Sequence, residues 1–170
     1  YLFLLFKQFS FPIIISRFAN FCGPYQKLYR LIPLAIHYAN NKKKFKLHGG
    51  GKSRRSFIFN NDFCEGIYKM ITKAKKGECY QFSSNEYLSI KKVVEKIYKI
   101  KKLDPKKNII NVKDRPGKDK DYRIYDSDTR RKLNWKNKTS LNKGVGEVIE
   151  WYDKYKNNFN KNDEHFIISK

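Results

Sequence analysis

The sequence predicts an α/β fold, and three observations carry the prediction. Short apolar or alternating runs at 13–15, 45–48, 57–59, 79–82 and 109–110 have the length of strands. Longer stretches between them, at 31–39, 63–71, 90–97 and 141–152, carry apolar residues at helical spacing. Strands that alternate with helices in chain order describe layered α/β architecture. Finally, 40% apolar and 16% aromatic residues in a chain of 170 can fill one core and exclude a disordered chain.

Each element has its own signal. Residues 1–10 read as the end of a buried helix, closed by the turn Ser10-Phe11-Pro12. Ile13-Ile14-Ile15 is continuous and apolar, as a central parallel strand buried on both faces requires. Asn20 to Tyr25 reads as a loop, because Gly23-Pro24 interrupts it. Leu31, Ile32, Ala35 and Ala39 mark a helix whose Pro33 is tolerable only in its first turn. Phe45 to His48 alternates as a strand and runs into Gly49-Gly50-Gly51.

Phe57-Ile58-Phe59 is the next strand. Asn61 or Asp62 then offers an N-cap with Glu65 placed for a capping box, ahead of a stripe of Phe63, Ile67, Met70 and Ile71 that ends at Lys76-Gly77. Cys79 to Phe82 is a strand, and a helix starts at Ser89 with Ile90, Val93, Val94 and Ile97 on one face. Ile109-Ile110 forms a strand before a charged loop from Lys113 to Asp121. The last helix starts at Ser140 with Leu141, Val145, Val148, Ile149 and Tyr152 inward, and the tail after Asn157 lacks periodicity and is expected to fray.

A net charge of +22 suggests nucleic acid, an anionic membrane or a phosphorylated ligand. The split weakens that inference, since 30 lysines stand against 8 arginines, with 15 asparagines and 4 alanines. Such a bias is what an AT-rich genome writes by default, so charge alone selects no partner. Cys22, Cys64 and Cys79 form no CxxC pair and are odd in number, which fits a reduced, cytoplasmic setting. His37, His48 and His165 have no ligand spacing, so no metal is expected. The apolar opening stops at Lys7, far short of the roughly 20 residues of a membrane span. It also lacks the features of a signal peptide. The one methionine is Met70, and a chain that opens inside an apolar run reads as the later part of something longer.

Gly49-Gly50-Gly51-Lys52-Ser53 looks like the end of a phosphate-binding P-loop. That motif needs a glycine where Lys46 stands and a helix after the serine, whereas a strand is expected here, so a tight turn is the better reading. Arg54 and Arg55 open a strand, where ligands of open α/β sheets bind, and Asp114-Arg115-Pro116-Gly117-Lys118 is a charged turn with a rigid centre. Arginine grips diphosphate with two parallel hydrogen bonds and lysine does not, so arginines kept in a lysine-biased chain are candidates.

These pieces, in order, resemble the C-terminal part of the nucleotide-sugar 4,6-dehydratases of the extended short-chain dehydrogenase/reductase group, the dTDP-glucose type in particular. The resemblance runs from Ser16-Arg17-Phe18-Ala19-Asn20, Gly23-Pro24-Tyr25 and Arg30-Leu31-Ile32-Pro33 through Leu47-His48-Gly49, Arg55, Asp62 and Gly77-Glu78-Cys79-Tyr80. It ends with Asp114 to Asp119, Lys132-Leu133-Asn134-Trp135 and Trp151-Tyr152. It implies the last strands and helices of a Rossmann-type NAD-binding fold at 1–27 and 57–84. A small nucleotide-sugar-binding subdomain would occupy 28–56 and 85–157, and 158–170 would be a tail.

By that resemblance Asn20 binds at the diphosphate end, Arg30 and Leu31 line the nucleotide site, and Lys46, Leu47 and His48 border the base, partly through main-chain groups. Arg55 and Arg115 clamp the diphosphate while Asp114, Pro116, Gly117 and Lys118 close over the nucleotide. Gln81 takes the place of a ligand-contacting asparagine, and Phe21 lies near the nicotinamide. The implied cofactor is NAD, the substrate a nucleotide-diphosphate sugar and the assembly a homodimer, with neither membrane nor nucleic acid as partner.

The glycine-rich phosphate turn and the YxxxK catalytic pair would lie upstream of Tyr1, so no catalytic residue is expected in this chain and the chain alone is expected to be inactive. Departures leave two alternatives open. The run Arg55-Ser56-Phe57 stands where the dehydratases usually carry Arg-Asp-Trp, and related UDP-sugar epimerases and decarboxylases share it. A basic nucleic-acid-binding module would instead need aromatic rings exposed among the lysines, whereas most rings fall on expected core faces.

Overall fold

A computed structural model describes residues 1–117 and 119–165. Lys118 and 166–170 lie outside the described residues. Helix α1 (Leu2–Phe9) precedes strands β1 (Ile15–Phe18) and β2 (Asn20–Cys22), then helix α2 (Leu31–Asn40) and strand β3 (Phe45–His48). A 3-10 turn at Gly49–Gly51 leads to β4 (Arg54–Phe59), α3 (Asn60–Lys73) and β5 (Cys79–Phe82). Strand β6 (Tyr87–Ser89) and helices α4 (Ile90–Ile100) and α5 (Pro105–Asn108) follow. Strands β7 (Ile109–Val112) and β8 (Asp121–Tyr122) then lead into α6 (Ser127–Leu133) and α7 (Leu141–Tyr155). No helix among the described residues is long and apolar enough to cross a membrane.

The pairing is mostly parallel, as expected of α/β layers. β1 pairs with β5, β2 with β4, β3 with β7 and β4 with β8, all parallel, while β6 runs antiparallel to β4. The segment 15–22 therefore serves two neighbours, its first half β5 and its second half β4. Asn20 to Cys22 is strand, where a loop was expected, because β4 offers it a ladder that local sequence does not announce. The expected strand at 13–15 begins at Ile15, and with β5 its one partner it runs from half-buried to exposed instead of being buried on both faces.

Two apolar clusters hold the molecule. The larger joins α2, α4 and α7 through Ile32, Ala35, Ile36, Val93, Val94, Ile97, Val145, Val148 and Tyr152. Burying each such aliphatic side chain stabilises by roughly 1.5–3 kcal/mol before chain entropy is charged against it. Ser89 and Ser140 accept hydrogen bonds from Lys92 and Lys143 and so cap α4 and α7, as their sequences announce. The smaller cluster gathers Ile58, Met70, Tyr80, Phe82, Leu133 and Trp135 between β4, α3, β5 and α6.

Several expectations need correction. Helix α1 exists but buries none of its residues, and Leu2, Phe3, Leu4 and Phe9 are exposed. Only its inner side finds a neighbour: Phe6 packs on Gly77, where an added Cβ would come within 2.2 Å of the ring. Helix α3 starts at Asn60 with no side-chain cap and ends at Lys73, before Lys76-Gly77. Asp62 is buried and serves tertiary structure instead, accepting from the backbone amides of Lys138 and Thr139. Ile71 is 70% exposed and off the stripe. The tail beyond Asn157 does not fray through its described part, since Glu164 accepts from His37 at 3.1 Å and from Lys43 at 2.9 Å.

Candidate functional site

The expected site residues converge where two chain crossings lie side by side. Strand β3 passes through the glycine turn into β4, and β7 passes through residues 113–120 into β8. Because β3 pairs with β7 and β4 with β8, the two connections are neighbours. Lys46 is exposed on β3 opposite Ile110, and His48 Nδ1 lies 3.2 Å from the carbonyl oxygen of Lys113.

Gly49 has φ 58°, and a Cβ there would lie 2.4 Å from the Asp114 carboxylate, so glycine is needed both for its conformation and for that close approach. Asp114 in turn accepts from the backbone amide of Arg115, and Arg115, Pro116 and Gly117 are exposed at the crest of the loop. The 3-10 turn leads into a strand, which rules out the P-loop geometry.

Arg55 anchors the far end of the same loop. Its guanidinium donates to the carbonyl oxygens of Asp119 at 2.7 Å and Arg54 at 2.7 Å, with Lys120 at 3.5 Å. Asn20 pairs in register with Phe57 of β4, so it shares a sheet face with Arg55, two residues before Phe57. Arg54, one residue off, turns to the other face, where its guanidinium lies 4.5 Å from the centre of the Tyr87 ring.

Other expected residues lie on other elements or turn inward. Arg30 holds the N-cap position of α2, exposed, with its guanidinium over Tyr29. Leu31 is half-buried against the helical cluster, and Leu47 is 2% exposed, its side chain enclosed in the same cluster. Gln81 lies on β5, paired with Arg17 of β1, and its backbone amide donates to the Thr129 hydroxyl. Phe21 packs in a trio with Phe18 and Phe63, ring centres 4.5 and 4.6 Å away. Lys118 lies outside the described residues.

The edge is cationic and rich in main-chain groups, an arrangement suited to holding an anion. Cys22 is no hidden nucleophile, because burial, then the charges of Asp62 and Glu86, push its thiol up to about 12. No three His, Cys, Asp or Glu side chains among the described residues gather as a metal site. Sequence reasoning missed a second feature, a pocket of about 190 Å³ on the Arg54 side of β4, formed by residues of β4, β6 and 123–127 that share no local motif.

Comparison with known proteins gives this geometry a context. A family model described as GDP-mannose 4,6 dehydratase matches residues 5–148. The chain is 29% identical over 163 residues to the dTDP-D-glucose 4,6-dehydratase of Mus musculus, covering 93% of this chain and 45% of that protein. A solved dTDP-glucose 4,6-dehydratase from Bacillus anthracis, in complex with NAD, is 31% identical with a TM-score of 0.86 over 91% of this chain and 49% of its own. The UDP-glucose 4-epimerase of Thermotoga maritima, at 18% identity, has a TM-score of 0.84 over 91% of this chain and 50% of its own, a likeness of fold alone. The chain thus spans about half the length of the relatives it matches.

Proposed function

The chain belongs to the GDP-mannose 4,6 dehydratase family, and on that premise we propose that it is the nucleotide-sugar-binding portion of a dTDP-glucose-type 4,6-dehydratase acting in the cytoplasm as a homodimer. The supporting observation is the edge at which Lys46, His48, Arg55 and the 114–117 loop meet from three separate stretches of sequence. There Arg55 and Arg115 hold the diphosphate, Asn20 contacts it from β2, and the main chain of 46–48 borders the base beside Arg30 and Leu31. Gln81 reaches the ligand from β5, and Lys118 belongs to the closing loop. The proposed division is into Rossmann segments at 1–27 and 57–84 and a binding subdomain at 28–56 and 85–157; the apolar clusters cross it, since Cys22 and Phe59 pack with the helical cluster and Leu133 and Trp135 with the sheet cluster.

NAD is the cofactor of this reading, but the described residues do not fit its pyrophosphate. No strand among them passes through a glycine-rich turn directly into a helix N-terminus, which is the usual cradle. This chain contributes at most an apolar wall at Phe21. Its own part is to bind and orient the substrate, which remains held from oxidation through elimination to reduction. A UDP-sugar epimerase or decarboxylase is the second reading, favoured by Arg55-Ser56-Phe57.

Titration of the chain with dTDP and with UDP tests both. Binding of dTDP is expected to weaken about ten- to a hundred-fold in Arg55→Ala and in Arg115→Ala, the loss of a charge-assisted hydrogen bond. Arg54→Ala should change it little. Equal losses at Arg54 and Arg55 would mean a diffuse basic patch and end the proposal, while preference for UDP would select the second reading.

A further inference from the structure

The pocket behind Arg54 combines features that point to a ligand. Strand alternation places Ser56 on the face opposite Arg55, and its register partner Tyr87 shares that face. Ser56 is 2% exposed, yet it lines the pocket, and its hydroxyl has no hydrogen-bond partner among the described residues. No buried side-chain nitrogen or oxygen among the described residues lacks a partner, so the Ser56 hydroxyl is a group that opens onto the cavity of about 190 Å³.

Asn85, Ser127 and Arg123 form the exposed rim of the same space, and their side chains have no hydrogen-bond or ion-pair partner among the described residues, which leaves their donors available to a ligand. The Arg123 guanidinium lies over the rings of Tyr87 and Tyr125, 5.2 and 4.9 Å from their centres. Stacking of this kind fixes the guanidinium plane and leaves its N–H edges free to donate.

Acceptors are scarce there. Asp126 is the one carboxylate lining the pocket, and its two oxygens accept from the Ser83 amide at 3.0 Å and Arg130 Nε at 2.8 Å. Asp121, just outside, accepts from the Tyr87 hydroxyl at 2.6 Å. Arg123 is the one guanidinium that lines the pocket, and both neighbouring carboxylates already have donors.

We propose that this pocket is an anion site, separate from the diphosphate edge, that takes a phosphate group either free or carried on a molecule no larger than a monosaccharide. Arg123 supplies the charge, Ser56, Asn85 and Ser127 supply neutral donors, and the Tyr87 and Tyr125 rings wall the ligand. Neither the family reading nor the identity of the nucleotide sugar enters this argument.

Calorimetric titration of the whole chain with inorganic phosphate, with glucose 1-phosphate and with glucose, at constant ionic strength set by chloride, tests it. Both phosphates should bind saturably and glucose should not. Arg123→Ala should weaken phosphate binding about tenfold or more, and Ser56→Ala, which keeps the fold by removing one oxygen, should weaken it less. Arg131→Ala, an exposed arginine outside both sites, should leave it unchanged. Tighter binding of glucose 1-phosphate would assign the site to a phosphosugar, and equal binding to the free anion. Undiminished binding in Arg123→Ala, or an equal loss in Arg131→Ala, would overturn the proposal. The first result would place phosphate at the diphosphate edge and the second on a diffuse basic surface, whereas failure of dTDP to bind at the edge leaves this pocket's outcome separate.

Discussion

The helical side and the sheet side of this molecule are built from the same kinds of residues but finished differently. Around α2, α4 and α7 the apolar faces meet one another, and Ala35, Ile36, Val93, Val94, Ile97, Tyr98 and Val148 are fully enclosed. On the sheet side β1 has β5 as its one partner among the described residues, and α1 turns Leu2, Phe3 and Leu4 outward. The first region encloses its apolar faces, and the second leaves apolar surface open. An amphipathic pattern thus says that a face is buried without saying by what.

Trp135 should break this comparison most sharply. It is 2% exposed, stacks edge-on against Phe82 at 5.1 Å and donates to the Asp62 carbonyl, so Trp135→Ala should cost about 3–5 kcal/mol. If the two clusters unfold independently, urea denaturation will show the loss in one transition while the α2–α4–α7 transition stays in place. A uniform shift of a single transition would make them one cooperative unit.

A weaker lever is the bare helix. Contiguous exposed apolar residues drive association, so the chain should associate at tens of micromolar despite its charge. Leu4→Glu with Phe9→Glu should return it towards monomer in light scattering, and a monodisperse parent protein would remove the contrast between the two sides.

The tail supplies a pH test on the helical side. Burial pushes the Glu164 carboxyl up, but hydrogen bonds from Lys43, Tyr38 and His37 outweigh it and hold the group below its ordinary value of 4.5. With a depressed value in the folded state, this contribution is fully present above pH 4.5 and is lost as pH falls through the lower folded value. Glu164→Gln should therefore lower the melting temperature at pH 7, and its difference from the parent should shrink as pH drops below that point. The smallest effect belongs to Ile71→Ala on the exposed side of α3, within about 0.5 kcal/mol in the same melts.

How much could be read in advance follows from where each signal resides. Helices α4 and α7 were legible because Ser89 and Ser140 cap them and their stripes are regular. Strands β6 and β8 were not, being three and two residues long and owing their shape to pairing with β4. Asp62 has the sequence position of a cap, yet the approach of 138–139 decides its role. At the site, the arginines and the Asp114–Gly117 turn stood out as rare chemistry in a lysine-rich chain. The pocket lined by Ser56 and Arg123 did not, since common surface residue types become distinctive only when the register of β4 and β6 brings them together.

The side-by-side crossings also dictate when the edge can form. Arg55 meets the Asp119 carbonyl across 64 residues of chain, and β3 meets β7 across a comparable span. Closing such loops costs entropy before any contact repays it, whereas the helices grow from local contacts. The helical cluster meets the same cost, since His37 of α2 reaches Tyr152 of α7 across 115 residues, so edge and cluster alike wait for distant segments to meet.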